Sequence, residues 1–161
     1  MNEEQKERME RLYIEMYDKL MAYARSNLDN ESLAEEAVQE TFRIACQKYG
    51  KLFDSPNPHG WLVLTLRHTI QNMKKQCLND KVLLSQYLAV QARNISFSED
   101  MLSLDVQYGK IADTEEFKII KEMAVDGYSH LELAQARGIT VNACKKRVQR
   151  SKELLQKKLK K

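Results

Sequence analysis

The sequence predicts an all-α fold: two small helical domains joined by a linker, the C-terminal one a helix-turn-helix. Three observations predict it. Glu, Lys, Leu, Ala and Gln, all good helix formers, dominate, while five Gly and two Pro are few for an all-β chain with its many turns. Apolar residues recur at helical spacing over most of the chain. Capping residues stand in front of several of these periodic runs. A length of 161 residues suits one ordinary domain or two small ones, and 43% hydrophobic with 30% charged residues suits a globular protein.

The first domain is expected over residues 1–77. From Glu3 to Leu28 the residues Leu12, Tyr13, Met16, Tyr17, Leu20, Tyr23, Ala24 and Leu28 form one stripe, which reads as core. The tyrosines at its edge admit a contact role as the alternative. Asp29–Asn30 break the pattern, and Ser32 with Glu35 has the spacing of a capping box. The helix Leu33–Tyr49 then buries Leu33, Ala37, Val38, Thr41, Phe42 and Ala45. Its other face carries Glu35, Glu36, Gln39 and Glu40. Acid in a first turn favours the helix dipole, which is reason enough for Glu35 and Glu36 but less so for Gln39 and Glu40. A loop is expected from Gly50 to Asn57, where Asn57 caps and Pro58 occupies the first helical position. The helix Pro58–Cys77 buries Trp61, Leu62, Leu66, Ile70 and Met73. It presents Arg67, His68, Gln71, Asn72, Lys74 and Lys75, types suited to phosphates and base edges or to a plain solvated face.

Residues 78–112 read as an acidic linker, with a short helix at Val82–Ala92 as its most regular part. The second domain, residues 113–161, opens with a helix that places Phe117, Ile120, Met123 and Ala124 in a core and stops at Gly127. Ser129 and Glu132 make a capping box, Leu131, Leu133 and Ala134 give a small apolar face, and Gly138 ends the helix. Thr140 caps the final helix, Val141–Leu159, which packs through Cys144, Val148, Leu154, Leu155 and Leu159. That helix bears Lys145, Lys146, Arg147, Arg150 and Lys152. Two short helices about a glycine turn, the second one basic, form the pattern that enters a DNA major groove. A helical hairpin with a merely solvated outer face is the bland alternative.

The formal charge of +3 is unevenly spread. Residues 1–50 hold 7 basic and 11 acidic side chains, residues 51–77 hold 4 and 1, residues 78–117 hold 3 and 7, and residues 118–161 hold 12 and 4. Alternating blocks suggest two DNA contacts and a basic protein partner. Cys46, Cys77 and Cys144 lack zinc or redox spacing and are read as buried or semi-buried thiols. His59, His68 and His130 lack metal spacing as well. There is no phosphate-binding glycine loop and no nucleophile elbow, so neither an enzyme nor a cofactor is expected. No apolar run reaches the length of a membrane span, and the polar MNEEQKERMERL start is not a signal peptide; a cytoplasmic location is expected.

Three segments, AEEAVQETFRIA at Ala34–Ala45, NPHGWLVLTLRH at Asn57–His68 and GITVNACKKRVQRSKELL at Gly138–Leu155, together resemble a small bacterial RNA polymerase sigma factor of the extracytoplasmic-function, sigma-70-like type. The resemblance spans Arg11–Lys75 and Glu115–Leu159. It implies that residues 1–77 act as sigma region 2 and residues 113–161 as region 4. Glu35, Glu36, Gln39 and Glu40 would meet the clamp helices of the polymerase's largest subunit. Phe53, Asn57, Arg67, His68, Gln71, Asn72, Lys74 and Lys75 would read and open the minus-ten element, one non-template base being flipped into a pocket of the loop from Phe53 to Asn57. Thr140, Asn142, Ala143, Lys145, Lys146, Arg147 and Arg150 would contact the minus-thirty-five element. Core polymerase (clamp helices and flap), promoter DNA and an anti-sigma factor are the implied partners; no membrane insertion is expected. The chain departs from the family where Arg67–His68 replaces a usual Arg-Asn, where Asn72–Met73–Lys74–Lys75 lacks an Asp before paired Arg, and at Ala143, Cys144 and Lys146, in place of Thr, Val and Ser. The alternative is a stand-alone helix-turn-helix regulator with an N-terminal sensor or dimerisation domain, or, without a DNA role, an interaction adaptor.

Overall fold

The computed structural model describes residues 1–94 and 114–160. Among the described residues the chain is all-α, with no strand. The helices are α1 (Glu3–Asn27), α2 (Glu31–Gln47), α3 (Tyr49–Asp54), α4 (Pro58–Asn94), α5 (Glu115–Ala124), α6 (His130–Arg137) and α7 (Val141–Leu159). They divide into two compact units, residues 1–74 and 75–161.

The first unit is built on the α1 stripe. Asn2 caps α1, accepting from the Gln5 amide at 2.8 Å while the Gln5 side chain accepts from the Asn2 amide at 3.1 Å. The helix buries Met9, Leu12, Met16, Leu20, Met21 and Ala24 in one cluster with Ala34, Ala37, Val38, Phe42 and Ala45 of α2, Leu52 of α3, and Leu62, Leu66 and Ile70 of α4. Tyr13, expected in the core, is 41% exposed, with its ring resting 4.6 Å from Phe42. The start of α2 also differs from expectation. Asn30 is the cap, accepting from the Ser32 amide at 2.8 Å, so Ser32 lies inside the helix. Asn caps as well as Ser does, and starting there puts Glu31 in the first turn, 2.7 Å from Arg25. Leu33 is half-buried and Ala34 takes the core position. The expected loop after Gly50 is mostly helical, because α3 turns Leu52 fully into the core.

Asn57 caps α4 as expected, its Oδ1 accepting from the Gly60 amide at 3.1 Å. The helix does not stop at Cys77. It runs on to Asn94, and Leu83, Leu84 and Tyr87 enter the second core with Phe117, Ile119, Ile120, Ala124, Leu133, Ala134, Cys144, Val148 and Leu155. Residues 78–94 are therefore helix, which bears out the expected helix at Val82–Ala92, and those three join a folded core, which corrects the assignment of that helix to a linker. Residues 95–112 of the expected linker, and residue 113 at the expected start of the second domain, lie outside the described residues. Asp80 and Lys152 make a largely buried ion pair of 3.0 Å, with side-chain exposures of 9% and 14%, and the Cys77 thiol donates to the Ala124 carbonyl at 3.2 Å. Lys152 is thus not part of an outward basic face.

The helical hairpin has its expected joints. The Ser129 hydroxyl accepts from the Glu132 amide and the Glu132 carboxylate from the Ser129 amide, both at 3.1 Å. Gly138 sits at φ 64°, the left-handed conformation that costs glycine little. Thr140 accepts from the Ala143 amide at 3.1 Å. Leu131 and Leu154 are exposed, not core; Ile119 and Ser151 take buried positions instead. Cys46 is exposed, whereas Cys77 is half-buried and Cys144 buried.

Candidate protein and nucleic-acid interfaces

In the first unit, α2 buries Ala34, Ala37, Val38 and Phe42, and this turns the opposite positions outward. Gln39 is exposed, and Glu35, Glu36 and Glu40 are half-buried at the surface. Residues 35, 36, 39 and 40 are neighbours at helical spacing, so they make one strip. The Glu40 carboxylate accepts from both the Nε and the terminal nitrogen of Arg43, three residues on. These bonds raise the Arg43 pKa further and spend part of the Glu40 charge inside the helix. The strip's aromatic border is Tyr17, whose phenol pKa is pushed up by burial, by Tyr13 and by Glu35.

The exposed face of α4 carries the second set. Leu62, Leu66, Thr69 and Ile70 point to the core, which leaves Arg67, His68, Gln71, Asn72, Lys74 and Lys75 exposed. At 100° per residue these six positions fall within an arc of about 160°. Leu64, 52% exposed, lies in the middle of the same arc. Sequence reasoning missed it; its place between the polar positions was the available signal. Phe53 sits differently from the rest. It is half-buried, packs on the first core and lies 4.6 Å from the Tyr49 ring. Asn57 is exposed, but its carbonyl oxygen is held by the cap.

In the second unit, Cys144, Val148, Ser151 and Leu155 hold α7 to the core. Thr140, Asn142, Ala143, Lys145, Lys146, Arg147 and Arg150 are exposed. Ala143, Lys146, Arg147 and Arg150 line one groove together with Glu115 and Glu116 from the start of α5. Lys145 is not in the groove; helical phase puts it about 100° from Lys146. Cys144 is fully buried, so this departure from the family changes packing rather than base reading. Arg137, which sequence reasoning passed over, ties α6 to α5 through Glu115 and Glu122, each at 2.8 Å. Partial burial opposes its charge, but the two carboxylates overcome that and raise its pKa.

Among the described residues no group of His, Cys, Asp and Glu could hold a metal ion, and no helix is long and apolar enough to cross a membrane.

Residues 12–76 match the family model for sigma-70 region 2. No curated protein and no solved structure matches the chain. The matched segment takes in the α2 strip, all of α3 and the α4 stripe through Lys75. Sigma region 2 binds core RNA polymerase and promoter DNA, so this unit has a role in promoter recognition. Over these residues, and so over most of its N-terminal unit, the chain is similar to region 2 of the sigma-70 family of RNA polymerase sigma factors.

Proposed function

We propose that the chain is a small sigma factor of the extracytoplasmic-function type: a dissociable subunit, without catalytic chemistry of its own, that directs core polymerase to promoters in the cytoplasm. The observation that carries this reading is that one family-matched unit bears an acidic strip on α2 and a polar, cationic stripe on α4. The two sit on different helices, so protein and DNA need not compete for the same side chains. Glu35, Glu36 and Gln39, with Glu40 at the edge, dock on basic groups of the polymerase clamp helices. Arg67, His68, Gln71, Asn72, Lys74 and Lys75 follow the minus-ten DNA, and the segment from Phe53 to Asn57 receives the flipped base. The hairpin of α6 and α7 acts as region 4. It reads the minus-thirty-five element through Asn142, Ala143, Lys146, Arg147 and Arg150, with Thr140 and Lys145 on phosphates. Two weak contacts at a fixed spacing then gain from effective concentration when both are engaged.

Run-off transcription with purified core enzyme, with sequencing of the transcript starts, tests the proposal. Promoter-dependent transcripts are expected. Glu35→Lys with Glu36→Lys should abolish core binding while circular dichroism stays unchanged. Absence of both transcripts and core binding would refute it. A stand-alone regulator would instead keep its DNA affinity in that double variant and bind inverted repeats as a dimer.

A further inference from the structure

We propose that Arg8, on α1 and outside the family-matched segment, is a nucleic-acid-binding residue: stacked over Phe53, it donates to a phosphate of the unpaired minus-ten strand. The proposal rests on the sigma reading of the first unit.

The geometry is specific. The Arg8 guanidinium carbon lies 4.1 Å from the centroid of the Phe53 ring. Phe53 is itself held by the core and by Tyr49, whose ring centroid is 4.6 Å away. Arg8 is therefore an exposed cation resting on a fixed platform. Among the described residues its guanidinium pairs with no carboxylate. A stacked guanidinium uses its face on the ring, while its five N–H donors lie in its plane and stay available for phosphate. The stack also restricts a long side chain before any ligand arrives, so less entropy is lost on binding.

The surroundings fit a single strand better than a duplex. Phe53 is the last residue but one of the short α3, between exposed Lys51 on the same turn and the exposed Asp54, with the exposed Asn57 just beyond. A cation held over an aromatic ring, with Lys51 nearby, suits the phosphate backbone of an unpaired strand. The bland role for Arg8 is to stabilise the fold through the ring contact alone. Such a role would show in melting temperature and leave the salt dependence of DNA binding unchanged.

The test uses the full chain with core polymerase. The probe is a forked fragment of a promoter recovered from the transcription experiment, duplex upstream and single-stranded on the non-template side through the minus-ten element. Arg8→Ala should weaken fork binding roughly fivefold, an expectation set by the size of an exposed cation–π and phosphate contact. It should flatten the slope of log affinity against log salt by about 0.7, the value for one single-strand phosphate. Affinity for fully duplex promoter and for core enzyme should stay unchanged. Arg8→Lys should restore the slope and only part of the affinity. Unchanged fork affinity and slope in Arg8→Ala, with wild-type transcription intact, would refute the role of Arg8 alone. So would a loss shared by fork, duplex and core that follows a lowered melting temperature. Failure of the wild-type chain to give any promoter-dependent transcript would overturn the sigma reading and this proposal together.

Discussion

Replacing Leu84 with Ala asks whether the second half of α4 is structural support for the helix-turn-helix unit. Leu84 is 4% exposed and belongs to the core that holds Phe117, Ile120, Leu133 and Leu155. The substitution removes three carbons, worth about 2.4 kcal/mol at about 0.8 kcal/mol each, and leaves a cavity that adds to the loss. About 3 kcal/mol is expected, which would lower the melting temperature of a unit of this size by roughly 10 °C or more. Amide hydrogen exchange on the full chain is the assay. Protection in α5, α6 and α7 should fall by roughly two orders of magnitude, with α1 and α2 little changed. Asp80→Ala is the electrostatic companion. It strands the Lys152 ammonium at 14% exposure. The cost should be about 2 kcal/mol, below that of a fully buried pair because Lys152 keeps some contact with water. If Leu84→Ala left α5–α7 protection intact and loosened only α4, residues 78–94 would be acting as a linker after all.

Three further predictions concern single joints and charges. Ser129→Ala breaks the buried capping box at the start of α6 and should cost about 1 kcal/mol in chemical denaturation, with the loss placed in the second unit by hydrogen exchange. Glu116→Gln removes an acid from the groove that Lys146, Arg147 and Arg150 line, so binding to random-sequence duplex should tighten a few-fold at low salt; unchanged affinity would mean that α7 does not face DNA through this groove. The hydrogen bond from Arg25 holds the Glu31 carboxyl below its usual value of 4.5. Its contribution is therefore present above that pH and lost as pH falls through the lowered value. The melting-temperature difference between the wild type and Glu31→Gln should accordingly shrink on acidification below pH 4.5 and stay flat above it.

Helix class and most helix faces were legible because they depend on local periodicity and capping chemistry. Ser129–Glu132, Gly138 and Thr140 each act within four residues, and each does in the structure what its type suggests. The errors lie where tertiary packing decides between local options. Asn30 and Ser32 are both good caps, and the Arg25–Glu31 pair accompanies the earlier start. Residues 78–94 looked weak because Leu78 and Val82 are exposed and dilute the stripe formed by Leu83, Leu84 and Tyr87. The candidate surfaces were legible as residue types, because Arg67, Gln71 and Lys75 recur at helical spacing. The pairing of Glu40 with Arg43, the withdrawal of Lys152 to Asp80 and the resting place of Arg8 were not. Each depends on which of several reachable partners a long side chain chooses in three dimensions.

The cap at the head of α4 links two positions in any drift of this sequence. A Cβ added at Gly60 would come within 2.5 Å of the Asn57 Nδ2 atom. Glycine at that helical position costs about 1 kcal/mol relative to alanine, and a good cap contributes about as much. The pair is thus close to neutral as a unit and unfavourable when split. Alanine at 60 with asparagine kept at 57 pushes the cap aside; serine at 57 with glycine kept at 60 leaves the helix paying for a space it no longer uses. Relatives that change one of these positions should change the other, with Ser at 57 accompanying Ala at 60. Positions 57 and 60 are therefore expected to vary together, for a reason that lies in the branched shape of the side chain at 57.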